Sequence, residues 1–201
     1  MPSSVLYMSM SLDGYIAGPN ETVDNGLGDG GMRLHEWIFP GLQGSDFAGA
    51  VARLRGVNRQ IFEEGMATGA VVAGRGTFEP ARGWGGDHHD GVQIYILSRN
   101  PAPDWAADWP NVHFVSDLAV AMAEAKRAAG GRNVLVHGAG IAQRAIAAGL
   151  LDELEIHLVP VLLGEGRRLF DHLGLPQREL ERVRVLEGED GVVHLRYRVR
   201  H

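Results

Sequence analysis

Short apolar runs at Ala70 to Ala73, Val92 to Leu97, Asn111 to Val115 and Asn133 to His137 recur through the middle of the chain, with helical stripes among them. The stripes are Val51, Leu54, Val57 and Ile61 within Ala50 to Ala67, then Leu118, Ala121, Met122 and Ala125 after a Ser116 or Asp117 cap, then Ile141, Ala142, Ala145 and Ile146 before Gly149. Buried strands separated in this way pair in parallel, because a parallel neighbour needs a long crossover. After Gly149 the pattern changes. Leu154, Ile156 and Leu158 alternate with Glu155, His157 and Val159, and Gly188-Glu189-Asp190-Gly191 divides Glu179 to Glu187 from Val192 to Arg200 as a hairpin turn would. The two patterns predict an α/β protein, with one mixed, mostly parallel sheet and a C-terminal antiparallel hairpin in a single domain over 1–201. In the last strand His194, Arg196, Arg198 and Arg200 share a face, expected to be the solvent side of an edge strand.

Glycine is the composition's outlier: 28 of 201 residues, about twice the usual share. Part of this excess lies in a glycine-rich loop at about 22–49, where Gly26, Gly28, Gly30, Gly31, Gly41, Gly44 and Gly49 break every helical or strand period. Long loops inside compact domains are usually functional, so the segment is read as a lid or substrate loop, with a surface insertion as the alternative. The chain has no cysteine, which removes thiolate metal sites and cysteine nucleophiles. Its net charge of −6 argues against nucleic acid or an anionic membrane as the main partner. The N-terminus lacks a signal-peptide pattern and no apolar run is long enough to span a bilayer, so a cytoplasmic location is expected.

The remaining glycines that matter follow the apolar runs. Gly74-Arg75-Gly76-Thr77 combines close backbone approach with a hydroxyl and a guanidinium, Ser98-Arg99 repeats the last two, and Gly138-Ala139-Gly140-Ile141 opens a helix. Ligands of open α/β sheets bind at such strand ends, where helix N-termini favour anions. Together these segments suit a phosphorylated dinucleotide. Elsewhere, Asp13 in the turn after the first strand (Val5 to Met10) is a candidate polar substrate contact, or simply a turn residue. His35 and Trp37 can hydrogen-bond to or stack on a planar heterocycle, or anchor their loop. Asp87-His88-His89-Asp90 carries metal-ligand types, but adjacent residues rarely converge on one ion, so a solvated loop is expected and no metal is assigned. His137 and His157 read as hydrogen-bonded core or interface residues.

Met8 to Gly18, Val72 to Glu79, Leu97-Ser98-Arg99 and Val136 to Gly140 resemble the motifs of the dihydrofolate reductase-like superfamily. Leu151 to Leu154, Pro160 to Gly166 and Leu169-Phe170 make the riboflavin-biosynthesis reductase (RibD C-terminal) branch the nearer likeness, over nearly the whole chain apart from the glycine-rich stretch. The resemblance implies a dihydrofolate reductase-like three-layer fold of about eight strands, NADPH as hydride donor, a small pyrimidine- or pterin-like heterocycle as substrate, and a homodimer. It implies that Gly74, Arg75, Gly76 and Thr77 hold cofactor phosphates, and that Ser98 and Arg99 face the 2′-phosphate. Gly138, Ala139, Gly140 and Ile141 would cradle the pyrophosphate, with Ala17 against the nicotinamide. The acidic residue that folate reductases carry on their first helix has no aligned carboxylate here; Asp46, Glu63 and Glu64 are near by position and read as solvated helix charge. The expectation is an NADPH-dependent reductase, and the alternative is a nucleotide-binding or regulatory module of the same fold without turnover.

Overall fold

The computed structural model describes residues 2–171, 173–174 and 177–200, so Met1, His172, Leu175, Pro176 and His201 of the expected 1–201 span lie outside the described residues. In chain order the elements are β1 (Ser4–Ser11), β2 (Tyr15–Ala17), α1 (Phe47–Ala52), α2 (Gly56–Met66), β3 (Ala70–Gly74), α3 (Arg75–Phe78), β4 (Gln93–Leu97) and β5 (Val112–Val115). There follow α4 (Leu118–Ala128), β6 (Val134–His137), α5 (Ala139–Ala147), β7 (Glu153–Val159), β8 (Arg167–Arg168), β9 (Leu180–Glu187) and β10 (Val193–Val199). Eight strands form one sheet in the order β5-β4-β3-β6-β1-β7-β10-β9, and β2 pairs with β8 in a separate two-stranded sheet. From β5 through β7 every pairing is parallel, while β10 runs antiparallel to both β7 and β9. The mixed sheet and C-terminal hairpin expected from the pattern are present.

Alternation along each strand sends neighbouring side chains to opposite faces, and both faces are covered, which is why these strands are apolar throughout. Leu6, Met8, Val72, Val134 and Val136 pack with Ala121, Met122 and Ala125 of α4 and Ile141, Ala142 and Ala145 of α5. The other face carries Val5, Tyr7, Val71, Ala73, Ile94 and Leu135 with Phe78. Further along that face Leu34, Trp37, Ile61, Val159 and Val192 form a separate cluster. Helix ends follow the caps read in the sequence. Asp117 accepts from the Val120 N–H at the start of α4, and Gly149 takes a positive φ just beyond α5.

Several expectations are corrected. The stripe from Ala50 to Ala67 is two helices, not one, with a break at Arg53–Arg55. Gly56 stands at φ +51, and the Glu189 carboxylate from the β9–β10 turn occupies the space a Cβ there would need, while accepting from the Val57 and Asn58 N–H groups at 3.2 and 3.0 Å. A distant acid thus caps α2. The basic row of β10 is not an exposed edge either, because β9 is the edge strand. His194 is fully buried, and Arg196 donates to Glu153 at 2.6 Å. Glu64, expected in solvent, is ion-paired with Arg184, which also reaches the buried Glu155 at 3.2 Å. Burial raises the Glu155 pKa despite these arginines. Asp46 caps α1 by accepting from the Gly49 N–H.

The glycine-rich loop is anchored where its large residues occur: a 3-10 turn spans Gly31–His35, and Leu34 and Trp37 are buried beneath it.

Candidate functional site

A cleft of about 250 Å³ opens at the carboxyl ends of β3, β4 and β6, lined by Gly74, Arg75, Gly76, Thr77, Leu97, Gly138, Gly140, Ile141, Arg144 and Arg167. Parallel strands put these ends side by side: Gly74 is in register with Leu97, and Ala73 with His137. Gly138 leaves β6 at φ +105, and a Cβ there would meet the Thr77 hydroxyl at 2.2 Å, so only glycine lets the β6–α5 turn close on α3. Around Gly74 and Gly140, by contrast, nothing lies within 4 Å of where a Cβ would stand. Their backbone is bare toward the cleft. The first intrahelical bond of α5 is Ala142 N–H to Gly138 O, which leaves the Ala139, Gly140 and Ile141 N–H groups for an anion, while the Gly138 N–H donates to Met8 Sδ at 3.3 Å.

Arg75 is held in place. Its guanidinium donates to Glu79 at 2.5 Å, to the Ser98 hydroxyl at 3.2 Å and to the Pro101 carbonyl at 2.7 Å, and it lies over the Phe114 ring. It ties the β3 and β4 ends together, and Ser98 joins the site through it. Arg99 is exposed beyond the lining. The Ala139 side chain is buried in the α5 core, so that residue offers backbone alone. Ala17 is buried in β2, opposite Arg167 of β8, and Arg167 pairs with Glu21 at 3.0 Å.

A family model described as the RibD C-terminal domain matches residues 2–194. The chain belongs to the RibD C-terminal domain family. Among solved structures it is similar to a putative riboflavin biosynthesis protein from Shewanella sp. PV-4, at 21% identity, 99% coverage of each chain and a TM-score of 0.69. It is also similar to a pyrimidine reductase-like protein from Corynebacterium diphtheriae, at 14% identity over 100% of this chain and 92% of that one, TM-score 0.65. A dihydrofolate reductase from Enterococcus faecalis complexed with NADP(H) aligns over 100% of this chain and 97% of its own at 15% identity, TM-score 0.56. No curated protein matches the sequence. These likenesses establish a dihydrofolate reductase-like fold. Among the described residues no helix is long and apolar enough to cross a membrane.

Against this RibD C-terminal frame, the remaining candidates separate. The Asp13 carboxylate accepts from the Ser11 hydroxyl at 2.5 Å and from the Leu163 and Gly164 N–H groups at 3.2 and 2.8 Å, and these bonds lower its pKa. It clamps the β1 turn to the segment after β7 and stays ionised, which makes it a poor proton donor. Trp37 is a core residue: its indole N–H donates to Ser9 at 2.9 Å and its ring packs on His157 and His194. It has no free face for a substrate, so the stacking role is withdrawn and loop anchoring stands. His35 keeps partial exposure with burial pushing its pKa down to about 4. His88 and His89 are half-buried against Trp84 and Thr68, not solvated. His157 does bond to His194, Nδ1 to Nδ1 at 2.9 Å.

Arg144 and Arg167 were missed by reading the sequence. Arg144 follows Gly140 by one helical turn, which is a signal that was there to use. Arg167 arrives from a two-residue strand and has no local signature.

Proposed function

We propose that this chain is an NADPH-dependent reductase that transfers a hydride to a small heterocyclic, pyrimidine- or pterin-like substrate. One observation carries the reading: the glycine-floored cleft at the β3, β4 and β6 ends, with bare backbone at Gly74 and Gly140 and guanidinium groups from Arg144 and Arg167 at its wall. A Cβ at Gly140 would fill the space the cleft leaves for a pyrophosphate, so the residues present fit the cofactor. Family membership and the NADP(H) bound to the Enterococcus reductase support the same assignment.

In this reading the reduced nicotinamide supplies the hydride when bound, and the protein aligns donor and acceptor and excludes water. Gly74, Gly76 and Thr77 approach the phosphates, with Arg75 bracing that wall. Gly138, Ala139, Gly140 and Ile141 cradle the pyrophosphate, the last three with their backbone N–H groups and Gly138 by letting the turn close, its own N–H being held by Met8 Sδ. Ser98 and the exposed Arg99 meet the 2′-phosphate, and Ala17 backs the nicotinamide. Two copies of the chain assemble as the family likeness implies, and exposed Leu180, Val183 and Val185 on the edge strand support this. The whole chain, 1–201, acts as one domain in a cytoplasmic setting.

Fluorescence titration with NADPH and NADH tests the cofactor. NADPH is expected to bind far more tightly, and Arg99→Ala to remove most of that preference. Failure of both nucleotides to bind sinks the reading, and equal losses for both in Arg99→Ala refute the 2′-phosphate assignment. A nucleotide-binding module without turnover is favoured by one observation, the fully engaged and ionised Asp13 carboxylate. Tight NADPH binding without oxidation over a panel of heterocycles would select it.

A further inference from the structure

Arg75, Arg144 and Arg167 line the cleft at the β3, β4 and β6 ends, and they are held in different ways. Arg75 is anchored by Glu79, Ser98 and the Pro101 carbonyl, against the Phe114 ring. Arg144 stands exposed on α5. Arg167 comes from the opposite wall. It leaves β8 toward α3, with Nη1 3.3 Å from where a Cβ on Gly76 would stand and Nη2 3.0 Å from Glu21 Oε2. Among the described residues the Glu21 carboxylate is its one polar partner. Glu21 holds it from outside the cleft lining.

This ion pair does little for the fold. The Glu21 side chain is only 15% exposed, and burial raises its pKa even with Arg167 beside it, so desolvation outweighs the attraction. Among the described residues no backbone N–H or hydroxyl donates to this carboxylate. Asp13 is the contrast: it accepts from one hydroxyl and two N–H groups, and its pKa falls. Nor does either backbone depend on the pair. The turn that carries Glu21 is closed by its own bonds, from Asn20 and Asn25 to the Asp29 carboxylate at 2.7 and 2.9 Å and from the Asp29 N–H to the Pro19 carbonyl at 2.8 Å. The segment after Arg167 is fixed by the Leu169 N–H, which donates to the Gly14 carbonyl at 3.0 Å, and by Gln143, which donates to the Leu169 carbonyl at 2.9 Å. The two side chains can part while both backbones stay.

We propose that Glu21 is a built-in competitor for the cofactor: its carboxylate occupies the Arg167 guanidinium that a phosphoryl oxygen of the bound nucleotide takes over, and so holds the affinity of the cleft below what its cations would give. This rests on the reductase reading above, which supplies the nucleotide. A carboxylate and a phosphoryl group accept from the same N–H groups of a guanidinium, so one can replace the other without loss of a bond to Arg167. The exchange needs little reach, because Arg167 already lines the cleft with Gly74, Gly76 and Gly140. What opposes it is the carboxylate left behind, an enclosed charge without a partner. Removing that charge therefore strengthens binding, the reverse of what loss of a supporting ion pair does.

Fluorescence titration of the full chain with NADPH, and calorimetry with inorganic pyrophosphate at the same ionic strength, test the exchange. Glu21→Gln is expected to tighten both ligands about fivefold, Arg167→Ala to weaken both about tenfold, and the double variant to bind no better than Arg167→Ala alone. Arg167→Lys keeps the charge without the fork and should recover only part of the loss. Asp24→Asn removes an equal charge from the same turn, where it pairs with Arg82, and should change neither affinity by more than about twofold. The melting temperature of Glu21→Gln should match that of the natural chain. The proposal is overturned by a Glu21→Gln variant that binds no more tightly or melts clearly lower, by a gain that survives in the Arg167→Ala background, or by an equal gain in Asp24→Asn. If no variant binds NADPH while pyrophosphate binds more tightly to Glu21→Gln, the reductase reading falls and the competition stands. If NADPH binds and Glu21→Gln brings no gain, the competition falls alone. If neither ligand binds, both fall.

Discussion

On one side of the β6 end, Gly74, Gly138 and Gly140 present backbone to a cleft, and on the other, the half-buried rings of Trp84, His88 and His137 pack together. The first wall depends on the absence of atoms: a Cβ at Gly138 has only 2.2 Å before it meets Thr77. The second depends on how side chains pack. A wall of backbone admits one shape and has no side chain to exchange, whereas a wall of rings can be altered one side chain at a time while the strands behind it stay in register. The difference teaches which of the two walls can vary in sequence without disturbing the backbone behind it.

The contrast breaks most sharply at Gly138→Ala. At φ +105 an alanine is strained by about 1–3 kcal/mol, and its methyl group clashes with Thr77. NADPH affinity is expected to fall by about a hundredfold or more and the melting temperature to drop. Unchanged NADPH affinity would show that the turn does not form the cofactor wall. Arg144→Ala removes an exposed guanidinium from the cleft lining and should weaken NADPH about tenfold, in keeping with about 1.5–3 kcal/mol for a charged hydrogen bond offset by solvent. Its melting curve should not move.

The ring wall has its own signature in pH. His35, His137 and His194 have folded-state pKa values of about 4, below the 6.5 of a free imidazole, so the unfolded chain binds protons first as pH falls. Their contribution is complete above about pH 6.5 and is lost progressively down to about 4, each tenfold difference in a ring's proton affinity between the folded and unfolded chain being worth up to about 1.4 kcal/mol. Thermal melts across that window should fall steeply, and a variant with His137→Gln should show a shallower decline. Identical slopes would mean that this ring does not titrate as an enclosed group. The smallest effect is expected at Trp37→Phe, which loses the bond to Ser9: about 1 kcal/mol of stability, read by urea denaturation, with NADPH affinity unchanged.

How much could be read from the sequence follows the same division. Gly74-Arg75-Gly76-Thr77 and Gly138-Ala139-Gly140-Ile141 are contiguous, and a contiguous segment after an apolar run announces both its turn and its ligand chemistry. The buried polar cluster of Ser9, His157 and His194 is assembled by register. Ser9 lies opposite His157, and His157 opposite His194, pairings that no local pattern contains. The β10 arginines misled for a related reason. Val193, Leu195 and Tyr197 alternating with basic residues look like a half-solvated strand, but Arg196 stands opposite Glu155 of β7, so the charge is matched inside the protein. At Gly56 the weakness in the helical stripe was visible, and the Glu189 cap that turns it into a break was not, because that carboxylate comes from 132 positions away.

Strand β1 is made first, yet its neighbours in the sheet are β6 and β7. On a ribosome, a chain synthesised as far as Gly131 can already align β3 with β4 and β4 with β5, but Leu6 and Tyr7 still lack both of their flanking strands. Strand β1 must therefore wait as an apolar ribbon until β6 and β7 have emerged, a period during which a chaperone has more to protect in β1 than in β3 and β4.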